Sequence, residues 1–585
     1  MKPLPTACLT LLLSAACALT SAQTPAPPLR DLSADTWAGT DALGRSLPMA
    51  GQARLPQTGK FVGIFYFIWH SRADEPSDNT KLLAADPAHP HYGPVPAFHW
   101  WGEPAVGYFR DDDPWVARKN LQILGEAGVD VLFLDVTNAA TYPGDVSVLF
   151  ETAEAMRREG FRTPQIGFLT HSSTNAVVTK LYETYYAKGR YENLWFRWQG
   201  KPLLLGDRDK TPLDPKIDSF FTRRDSWAWQ PGQDKWQWLD KYPQRPGWHD
   251  SPSVPEEVPV SVAGHPTDNL GRSYHSTETW GKGTEPPVDA QYRTPLSGEG
   301  LQFQQQWDRA LKIDPQFVFV TGWNEWIAQR FESGAGGGPG FLGRVLKPGE
   351  TFFVDNYNEE FSRDIMPMRG GYGDNYFMQL AANIRRYKGV STQPVSHGFH
   401  APKTWADWAK IGPQYLDPVG DTEHRDHAGW GGRQYKDVSG RNDITSARVA
   451  CDTDNIYFYV HTEAALTPYT DPNWMQLLID TDRNPKTGWH GYDFVVNSRV
   501  LSPTRTTLKR LRDGKTWTVA CRVEGNQLAV TVPRAQLGLI GTQTITFDFH
   551  WLDNVPIGQG DLADWWYVGE SAPDGRFNYR YVNQH

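Results

Sequence analysis

The sequence is poor in sulfur and, beyond its first residues, lacks long apolar runs. Its 585 residues include 4 cysteines and 7 methionines, and Cys8 and Cys17 fall within the first 22 residues. The remaining pair, Cys451 and Cys521, can form one disulfide or stay as two free thiols, and neither alternative is favoured. No CxxC or Cys/His spacing predicts a metal site. No later apolar stretch reaches the roughly 20 residues of a membrane-spanning helix, so we expect no membrane span.

Positive charge is scarce relative to negative charge. Lys and Arg number 58 and Asp and Glu number 67, which gives a formal net charge of -9 at pH 7. This balance argues against a nucleic-acid partner and against a polybasic membrane-surface protein. The signatures of nucleophile-elbow hydrolases, HExxH metalloproteases and P-loop nucleotide-binding proteins are missing as well. The sequence therefore gives no support to those chemistries.

The first 22 residues have the features of a secretory signal peptide. Lys2 supplies a positive end, residues 9–18 form a short apolar stretch, and residues 20–22 offer small side chains for cleavage. We therefore expect the mature chain to be secreted or periplasmic. A lipoprotein attached at Cys17 is the weaker alternative, because the motif before it begins with Ser14 where an apolar residue is usual.

Aromatic residues are abundant. The sequence has 25 Trp, 24 Tyr and 27 Phe, which together make 13% of the chain. A large aromatic core accounts for such a surplus, and so do rings that stack on the faces of sugars. For the total we expect the core to dominate.

A leader at residues 23–59 precedes a region, residues 60–390, in which apolar strands alternate with helical patterns. Continuous apolar strands separated by helices predict a parallel sheet that is covered on both faces. The length and the number of units favour an α/β TIM-type (β/α)8 barrel over an open sheet. The predicted strands are 60–67, 129–136, 165–170, 202–205, 258–262 and 317–321, and predicted helices include 115–127, 148–159 and 303–313.

Residues 400–585 have a different pattern of short alternating strands separated by turns. This spacing predicts an antiparallel β-sandwich that follows the barrel after a linker at 391–402. The predicted strands are 448–451, 455–460, 475–479, 492–496, 517–523, 527–532 and 544–549.

Polar residues follow most of the predicted barrel strands, where barrel enzymes place their chemistry. Glu325 is the strongest candidate, because it follows an apolar strand and is flanked by Trp323 and Trp326, whose rings would favour the neutral acid. Cleavage of an acetal needs an acid and a second carboxylate, for which Asp135 and Glu103 are candidates and Glu332 is a weaker one. The substrate-binding candidates are Trp69, His70, Trp100, Trp101, Asn138, His171, His265, Trp323, Asn324 and Trp326.

The segment Trp323-Asn324-Glu325-Trp326 resembles a motif of the glycoside hydrolase family 99-like group, which is related to the family 71/99 and WbsX-like TIM barrels. Residues 100–104, 134–138 and 357–365 support the resemblance, which covers most of residues 60–390. In family 99 endo-α-mannosidases the motif continues His-Glu-Gly, and the two glutamates act on the sugar 2-hydroxyl and as the general acid/base. Here the first maps to Glu325, but the second maps to Ala328, which cannot transfer a proton.

The C-terminal region resembles family 9-type carbohydrate-binding sandwiches through residues 478–485 and 487–494. Within it, the alternating oxygen ligands of Asp480, Asp482 and Asn484 are candidates for a structural calcium ion. Side chains that bond their own turn are the equal alternative. The tryptophans that could offer sugar platforms are Trp474, Trp489, Trp551, Trp565 and Trp566.

Together these features predict a secreted glycoside hydrolase that acts on a poly- or oligosaccharide and carries an appended sugar-binding sandwich. We expect a monomer that needs no cofactor for catalysis. The alternative is a non-catalytic glycan-binding protein on a degenerate glycosidase barrel, because Ala328 stands where the acid is expected.

Overall fold

A computed structural model of the chain describes residues 28–71, 74–209, 211–263, 297–335, 340–341, 344–345, 347–353, 356–359, 362, 364–541, 544–558 and 561–584. The predicted signal peptide and the candidate His265 lie outside these residues. No helix in the described part of the chain has both the length and the apolar character to cross a membrane.

Seven parallel strands form the sheet of the N-terminal region. Along the sheet the order is β6-β7-β1-β2-β3-β4-β5, so the first strand of the region lies at the centre of the ladder. The strands β1, β2, β3 and β7 are mainly apolar because both faces of the sheet are covered, whereas β5 is short and polar. Their bounds are β1 (Phe61–Tyr66), β2 (Val131–Val136), β3 (Gln165–Thr170), β4 (Lys201–Gly206), β5 (Thr222–Arg224), β6 (Pro255–Ser261) and β7 (Phe317–Trp323).

The sheet is curled, which is consistent with the predicted barrel. Between its edges β5 and β6 the ladder continues through a bridge of Asp225 to Lys235, then through Gly232–Gln233 and Gly247–Trp248, which pairs antiparallel with β6. An eighth parallel strand is not seen among the described residues, so a regular closed (β/α)8 barrel is not shown.

Aromatic rings fill the inner face of this sheet. Phe133 of β2 lies 4.9 Å from Phe319 of β7, and Trp236, which follows β5, lies 4.5 Å from Phe317. These contacts reach across the curl. Gly63 is required at the centre of β1, because a Cβ there would lie 2.5 Å from the Phe317 ring and 2.7 Å from the Phe133 ring.

Helices cover the outer face, and α2 shows why they form where they do. Asp113 caps its N-terminus by accepting the N–H groups of Trp115 and Val116, Pro114 occupies its first turn, and Gly128 follows its end at φ 90°. The helices of this region are α1 (Asn79–Ala85), α2 (Pro114–Ala127), α3 (Pro143–Arg158), α4 (Thr174–Thr184), α5 (Pro215–Asp218), α6 (Leu301–Ile313) and α7 (Asn375–Lys388), whereas α8 (Trp405–Trp408) and α9 (Arg534–Leu537) belong to the C-terminal region.

The C-terminal region forms one large antiparallel sheet in the order β18-β16-β11-β12-β13-β14-β15-β10-β9-β8. Its strands are β8 (Gln414–Leu416), β9 (Ile444–Cys451), β10 (Asn455–Thr462), β11 (Gln476–Asp480), β12 (Phe494–Ser502), β13 (Arg505–Arg510), β14 (Thr516–Glu524), β15 (Gln527–Pro533), β16 (Thr544–Asp553), β17 (Glu570–Ala572) and β18 (Phe577–Gln584). Phe458 of β10 lies 5.6 Å from Phe547 of β16, although five strands separate them along the ladder. The sheet therefore folds back on itself, which fits the predicted sandwich.

The remaining strands are short and either extend the two sheets or form small sheets of their own. They are Ala38–Gly39, Ser77–Asp78, Phe98–Trp100, Arg197–Trp198, Gly232–Gln233, Gly247–Trp248, Ile327–Glu332, Gly340–Phe341, Arg344–Val345, Thr351–Phe353, Ser396–His397, Arg425–Ala428 and Gln434–Asp437.

The predicted leader ties the two regions together. Ala38–Gly39 pairs with the start of β18, at the edge of the C-terminal sheet. Trp37 packs against Phe577, and its carbonyl accepts a hydrogen bond of 2.6 Å from the guanidinium of Arg385 in α7. The leader thus contacts the last strand of the chain as well as the helical layer of the first region.

Both cysteines of the sandwich are buried free thiols. The Tyr581 hydroxyl lies 3.4 Å from Cys451 Sγ, whereas Cys521 Sγ lies near the carbonyls of Ser502 and Pro503. Of the two alternatives that the sequence left open, the structure has the thiols.

Truncation of the inner core should destabilise the protein strongly. Phe133 is 0% exposed, so Phe133→Ala should lower the free energy of unfolding by about 3–5 kcal/mol through lost burial and the cavity left behind. Urea denaturation measures the change. The matched control is Phe399→Ala, because Phe399 is 43% exposed and its truncation should cost less than about 0.5 kcal/mol. Equal losses in the two variants would contradict an aromatic inner core.

Candidate functional site

His171, Asp207 and Trp227 come together at the carboxyl ends of β3, β4 and β5. His171 Nδ1 lies 2.6 Å from Asp207 Oδ2, and the two side chains are 36% and 32% exposed. The imidazole also stacks on the Trp227 ring, with the ring centres 3.6 Å apart and an interplanar angle of 14°. A half-exposed ring beside a paired carboxylate suits a ligand that is apolar on one face and rich in hydroxyls, as sugars are.

Asp135 lies at the same edge, on β2. Side chains alternate along a strand, so Asp135 shares the inner face with Val131 and Phe133, which belong to the inner aromatic core. It is buried, and its Oδ1 accepts the Thr137 N–H at 2.9 Å. A carboxylate that ends an apolar strand on its inner face lies at the mouth of the curled sheet.

Tyr142 lies next to this carboxylate. Burial, followed by the negative charge of Asp135 and of Asp111, raises the pKa of Tyr142 to about 12. The nearby Asp145 is half-buried in the first turn of α3. Burial and the charge of Asp111 raise the pKa of Asp145 to about 6, so this second carboxyl near the mouth keeps its proton up to about pH 6.

The residues after β1 divide into an accessible ring and a buried support. Trp69 is half-buried and packs edge-on against Phe98, with ring centres 6.0 Å apart. His70 is fully buried, and Asp111 Oδ2 lies 3.0 Å from its Nδ1 and accepts its backbone N–H at 2.6 Å. After β2, Asn138 is exposed to solvent.

The backbone that carries Glu325 is held from two sides. Asn324 donates from Nδ2 to the Phe67 carbonyl and accepts the Phe67 N–H at Oδ1, both at 2.9 Å. The Glu325 carbonyl accepts hydrogen bonds from Trp101 Nε1 at 3.0 Å and from Asn356 Nδ2 at 2.9 Å. The side chain of Glu325 is itself buried. Both amide atoms of Asn324 therefore bind the backbone of Phe67, and Glu325 lies on a segment that these hydrogen bonds fix.

Four of the predicted sugar platforms belong to this support. Trp100, Trp101, Trp323 and Trp326 are all 0–1% exposed. Trp101 stacks on Trp326 with ring centres 4.4 Å apart, and Trp100 packs edge-on against Trp430 of the C-terminal region at 5.4 Å. Rings enclosed in this way offer no face to a ligand, whereas Trp69 and Trp227 at the same edge are only half-buried.

Asp364 completes the support and was not predicted from the sequence. Its Oδ1 accepts the Asn324 N–H at 3.0 Å and the Met366 N–H at 2.9 Å. Burial raises the pKa of Asp364 to about 7, although these N–H groups act in the opposite direction. Trp227 was missed too, because three residues with two arginines give β5 no strand-like pattern. Nothing in the sequence near Asp364 marks it as a partner of Asn324.

Glu103 lies in a different environment. Its carboxylate pairs with Lys81 at 2.5 Å and with Arg369 at 3.8 Å, and it lines a groove together with Tyr108 and Arg433. The groove lies between the two regions of the chain. Ala328 is buried in the short strand Ile327–Glu332, directly opposite His99 of the strand Phe98–Trp100.

The predicted calcium ligands lie in a turn of the sandwich. Carboxylate oxygens of Asp480, Asp482 and Asp493 are within 4.8 Å of one another, so Asp493 joins the two predicted acids. Asn484 Oδ1 accepts the Lys486 N–H, and Asp482 Oδ1 accepts the Asn484 N–H. These local bonds are the alternative that the sequence left open, and the calcium site stays a prediction.

The tryptophans of the sandwich are mostly core. Trp489 is half-buried and packs against Trp565 at 5.7 Å. The buried ones are Trp474, Trp551, Trp565 and Trp566.

Comparisons with known proteins give a distant structural likeness. No protein-family model matches the chain, and no curated protein matches its sequence. Similar solved structures include a GH99 endo-alpha-mannosidase from Bacteroides thetaiotaomicron, in complex with Bis-Tris propane (TM-score 0.30) and in a second structure (TM-score 0.31). Each has 13% sequence identity and covers 56% of this chain and 97% of its own. These neighbours are glycoside hydrolases, but so low a TM-score carries no function to this chain.

The buried carboxyl of Asp364 should make stability depend on pH. Because its folded pKa lies near 7 and its unfolded pKa lies near about 4, the folded state gives up stability as pH rises from about 4 to about 7. Asp364→Asn keeps an acceptor for both N–H groups but does not titrate, so its stability relative to wild type should rise across that interval. Thermal melts at pH 4.5 and pH 8 would measure this.

The control for that experiment is Asp250→Asn, because the side chain of Asp250 is 85% exposed. Because substitutions of exposed residues rarely change stability by more than about 0.5 kcal/mol, its melts should match those of wild type at both pH values. A constant difference for Asp364→Asn as well would show that this carboxyl ionises normally.

Proposed function

We propose that the chain is a glycoside hydrolase whose site lies at the carboxyl ends of the parallel strands. The observation that carries the proposal is the group of His171, Asp207 and Trp227, which presents a half-exposed ring beside polar side chains at the same edge as the buried Asp135. Stacking on one face and hydrogen bonding around the rim are how proteins hold pyranose rings.

Asp135 and Glu325 are the proposed catalytic pair. Strands β2 and β7 both neighbour β1, so two strand spacings of about 4.8 Å place their backbones about 10 Å apart at this edge. Side chains that lean toward one another from such positions span the separations of about 5–9.5 Å that glycosidase carboxylates use. The Glu325 side chain is buried, and the Trp101 indole donates a hydrogen bond to its backbone carbonyl. We assign Glu325 the role of the general acid. Asp135 would then support the developing positive charge or activate water.

The sandwich and the leader enter the proposal only as support. The predicted export and the predicted sugar binding by the sandwich remain expectations. The Asn324-Glu325-Trp326 segment resembles a motif of family 99 endo-α-mannosidases, so α-mannans belong in a substrate panel alongside plant and microbial polysaccharides.

Replacement of either proposed catalytic carboxylate should abolish most of the activity. Asp135→Asn and Glu325→Gln keep the size of the side chain but cannot transfer a proton, so each should lower kcat/KM by about 10²–10⁴-fold. Release of reducing sugar from the panel measures the rate. Glu103→Gln is the matched control, because the Glu103 carboxylate pairs with Lys81 in the groove between the two regions.

Full activity in Asp135→Asn and Glu325→Gln would exclude the proposed pair. Loss of activity only in Glu103→Gln would move the chemistry to the groove. Circular dichroism melts separate a lost function from a lost fold.

A non-catalytic glycan-binding protein is the second candidate. It is favoured by Ala328, which is buried opposite His99 and offers no carboxyl where related enzymes have one. Binding of an oligosaccharide without any turnover, at a site that includes Trp227, would support it.

Removal of the accessible ring should weaken binding in both cases. Trp227→Ala takes away the stacking face and leaves His171 without its partner, so affinity for an oligosaccharide should fall about tenfold, which corresponds to about 1.4 kcal/mol. Calorimetry on the inactive Asp135→Asn background measures this. Trp517→Ala, on a half-buried ring of the sandwich, is the control. A loss confined to Trp517→Ala would place sugar binding on the sandwich.

A further inference from the structure

A second cluster of carboxylates is buried where the two regions of the chain meet. Asp417 and Asp421 follow β8, and Glu570 begins β17. The three side chains are buried, and one carboxylate oxygen from each lies within 4.8 Å of the others. This cluster is separate from the predicted calcium turn and from the proposed hydrolase site.

Each carboxylate has one oxygen bound by a protein donor. The Tyr579 hydroxyl donates to Asp417 Oδ1 at 2.8 Å, and Gln122 Nε2 donates to Asp421 Oδ2 at 2.9 Å. The backbone N–H of residue 444 donates to Glu570 Oε1 at 2.9 Å. The second oxygens of Asp417 and Asp421 are buried, and no donor among the described residues reaches them. The protein thus orients these carboxylates and leaves buried acceptors without a donor among the described residues.

Helix α2 adds more acceptors from the other side of the interface. Gln122 is fully buried, and its Nε2 also donates to Asp574, while its Oε1 has no donor among the described residues. Glu126, one turn later on the same face of the helix, is 5% exposed and shares a hydrogen bond with Asp574. Gln122 Oε1 is therefore, like Asp417 Oδ2 and Asp421 Oδ1, a buried acceptor without a donor among the described residues.

Two cationic side chains of helix α2 lie near these acids in the described part of the chain. Lys119 is buried and interacts with Asp574, Asp421 and Glu570. Arg118 pairs with Glu159 at 2.6 Å and interacts with Asp421 as well. Two cations are fewer than the buried acids around them, which are Asp417, Asp421, Glu570, Asp574 and Glu126.

The acids of the cluster and the neighbouring Glu126 are all buried. Buried carboxylates in excess are stable only with bound protons or with a further cation.

The donor set selects the kind of cation. The ligand atoms are carboxylate and amide oxygens, without a histidine or cysteine among them, which suits a hard divalent ion. Two oxygens on opposite sides of a Ca²⁺ ion lie about 4.6–5.2 Å apart, because each bond is about 2.3–2.6 Å long. The three carboxylate oxygens lie within 4.8 Å of one another, which is close enough for one ion to contact all of them.

We infer that Asp417, Asp421 and Glu570 form a buried Ca²⁺ site, with Gln122 Oε1 as a further ligand, that fastens helix α2 to the sandwich. The site does not depend on the proposed hydrolase activity. Because its ligands come from both regions of the chain, the bound ion stabilises their interface.

The full-length chain, stripped with EGTA, tests the inference by its thermal melt. Addition of 1 mM Ca²⁺ should raise Tm by about 5 °C or more, since an ion that binds only the folded chain stabilises it by mass action. Metal analysis after dialysis should find calcium retained. Mg²⁺ should be less effective, because it requires near-ideal octahedral geometry.

Two variants assign the effect to this cluster. Asp421→Asn keeps the shape of the side chain but removes a charged ligand, and it should lose the Ca²⁺-dependent shift. Asp482→Asn alters the exposed turn of the sandwich instead, and it should keep both the shift and one bound calcium. If Asp421→Asn does not fold, the Asp482→Asn protein alone decides, because the buried cluster is the remaining candidate in it.

Absence of a shift and of bound calcium in Asp482→Asn would overturn the inference. A shift that persists unchanged in folded Asp421→Asn would overturn it as well. In either case bound protons, and not a metal ion, would neutralise the buried carboxylates.

Discussion

The amide of Asn324 pairs with both backbone polar groups of Phe67, and the position of Glu325 depends on this contact. It extends the junction of β7 and β1 beyond the last ladder bonds, at the point where the chain turns away from the sheet. The Asp364 carboxylate accepts a hydrogen bond from the Asn324 N–H, and Trp101 Nε1 donates one to the Glu325 carbonyl. A carboxyl can work as a catalyst only if its supporting shell fixes it to within a fraction of an ångström, and here that shell is buried and hydrogen-bonded.

The edge of the sheet thus separates support from contact. Enclosed tryptophans such as Trp101 and Trp326 stabilise the segment that bears Glu325. Half-exposed groups such as Trp69, His171 and Trp227 remain available to a ligand. At the interface with the sandwich, Asp417 and Asp421 each accept a hydrogen bond at one carboxylate oxygen, while the other oxygen is buried without a described donor. A polar group that is fixed in position but not fully hydrogen-bonded is typical of a site that binds a ligand or an ion.

Many strands and helices could be predicted because they depend on the local pattern of apolar and polar residues. Long apolar strands such as β1, β2 and β7 were predicted within a few residues, since a strand covered on both faces must be apolar along its length. The strands β5 and β13 were missed, because arginine and threonine dominate them. The strand-end rule selected Asp135 and Glu325. It could not foresee that neighbouring tryptophans are buried, or that the leader pairs with β18, because such contacts join residues far apart in sequence.

The central claim is that a saccharide is bound and cleaved at the carboxyl ends of the parallel strands. A crystal structure of the Asp135→Asn variant with an oligosaccharide from the responsive class tests it most directly. The account predicts a sugar ring stacked on Trp227 or Trp69, with a glycosidic oxygen between residues 135 and 325. An oligosaccharide bound only to the sandwich, with no sugar at the strand ends in saturated crystals, would contradict it.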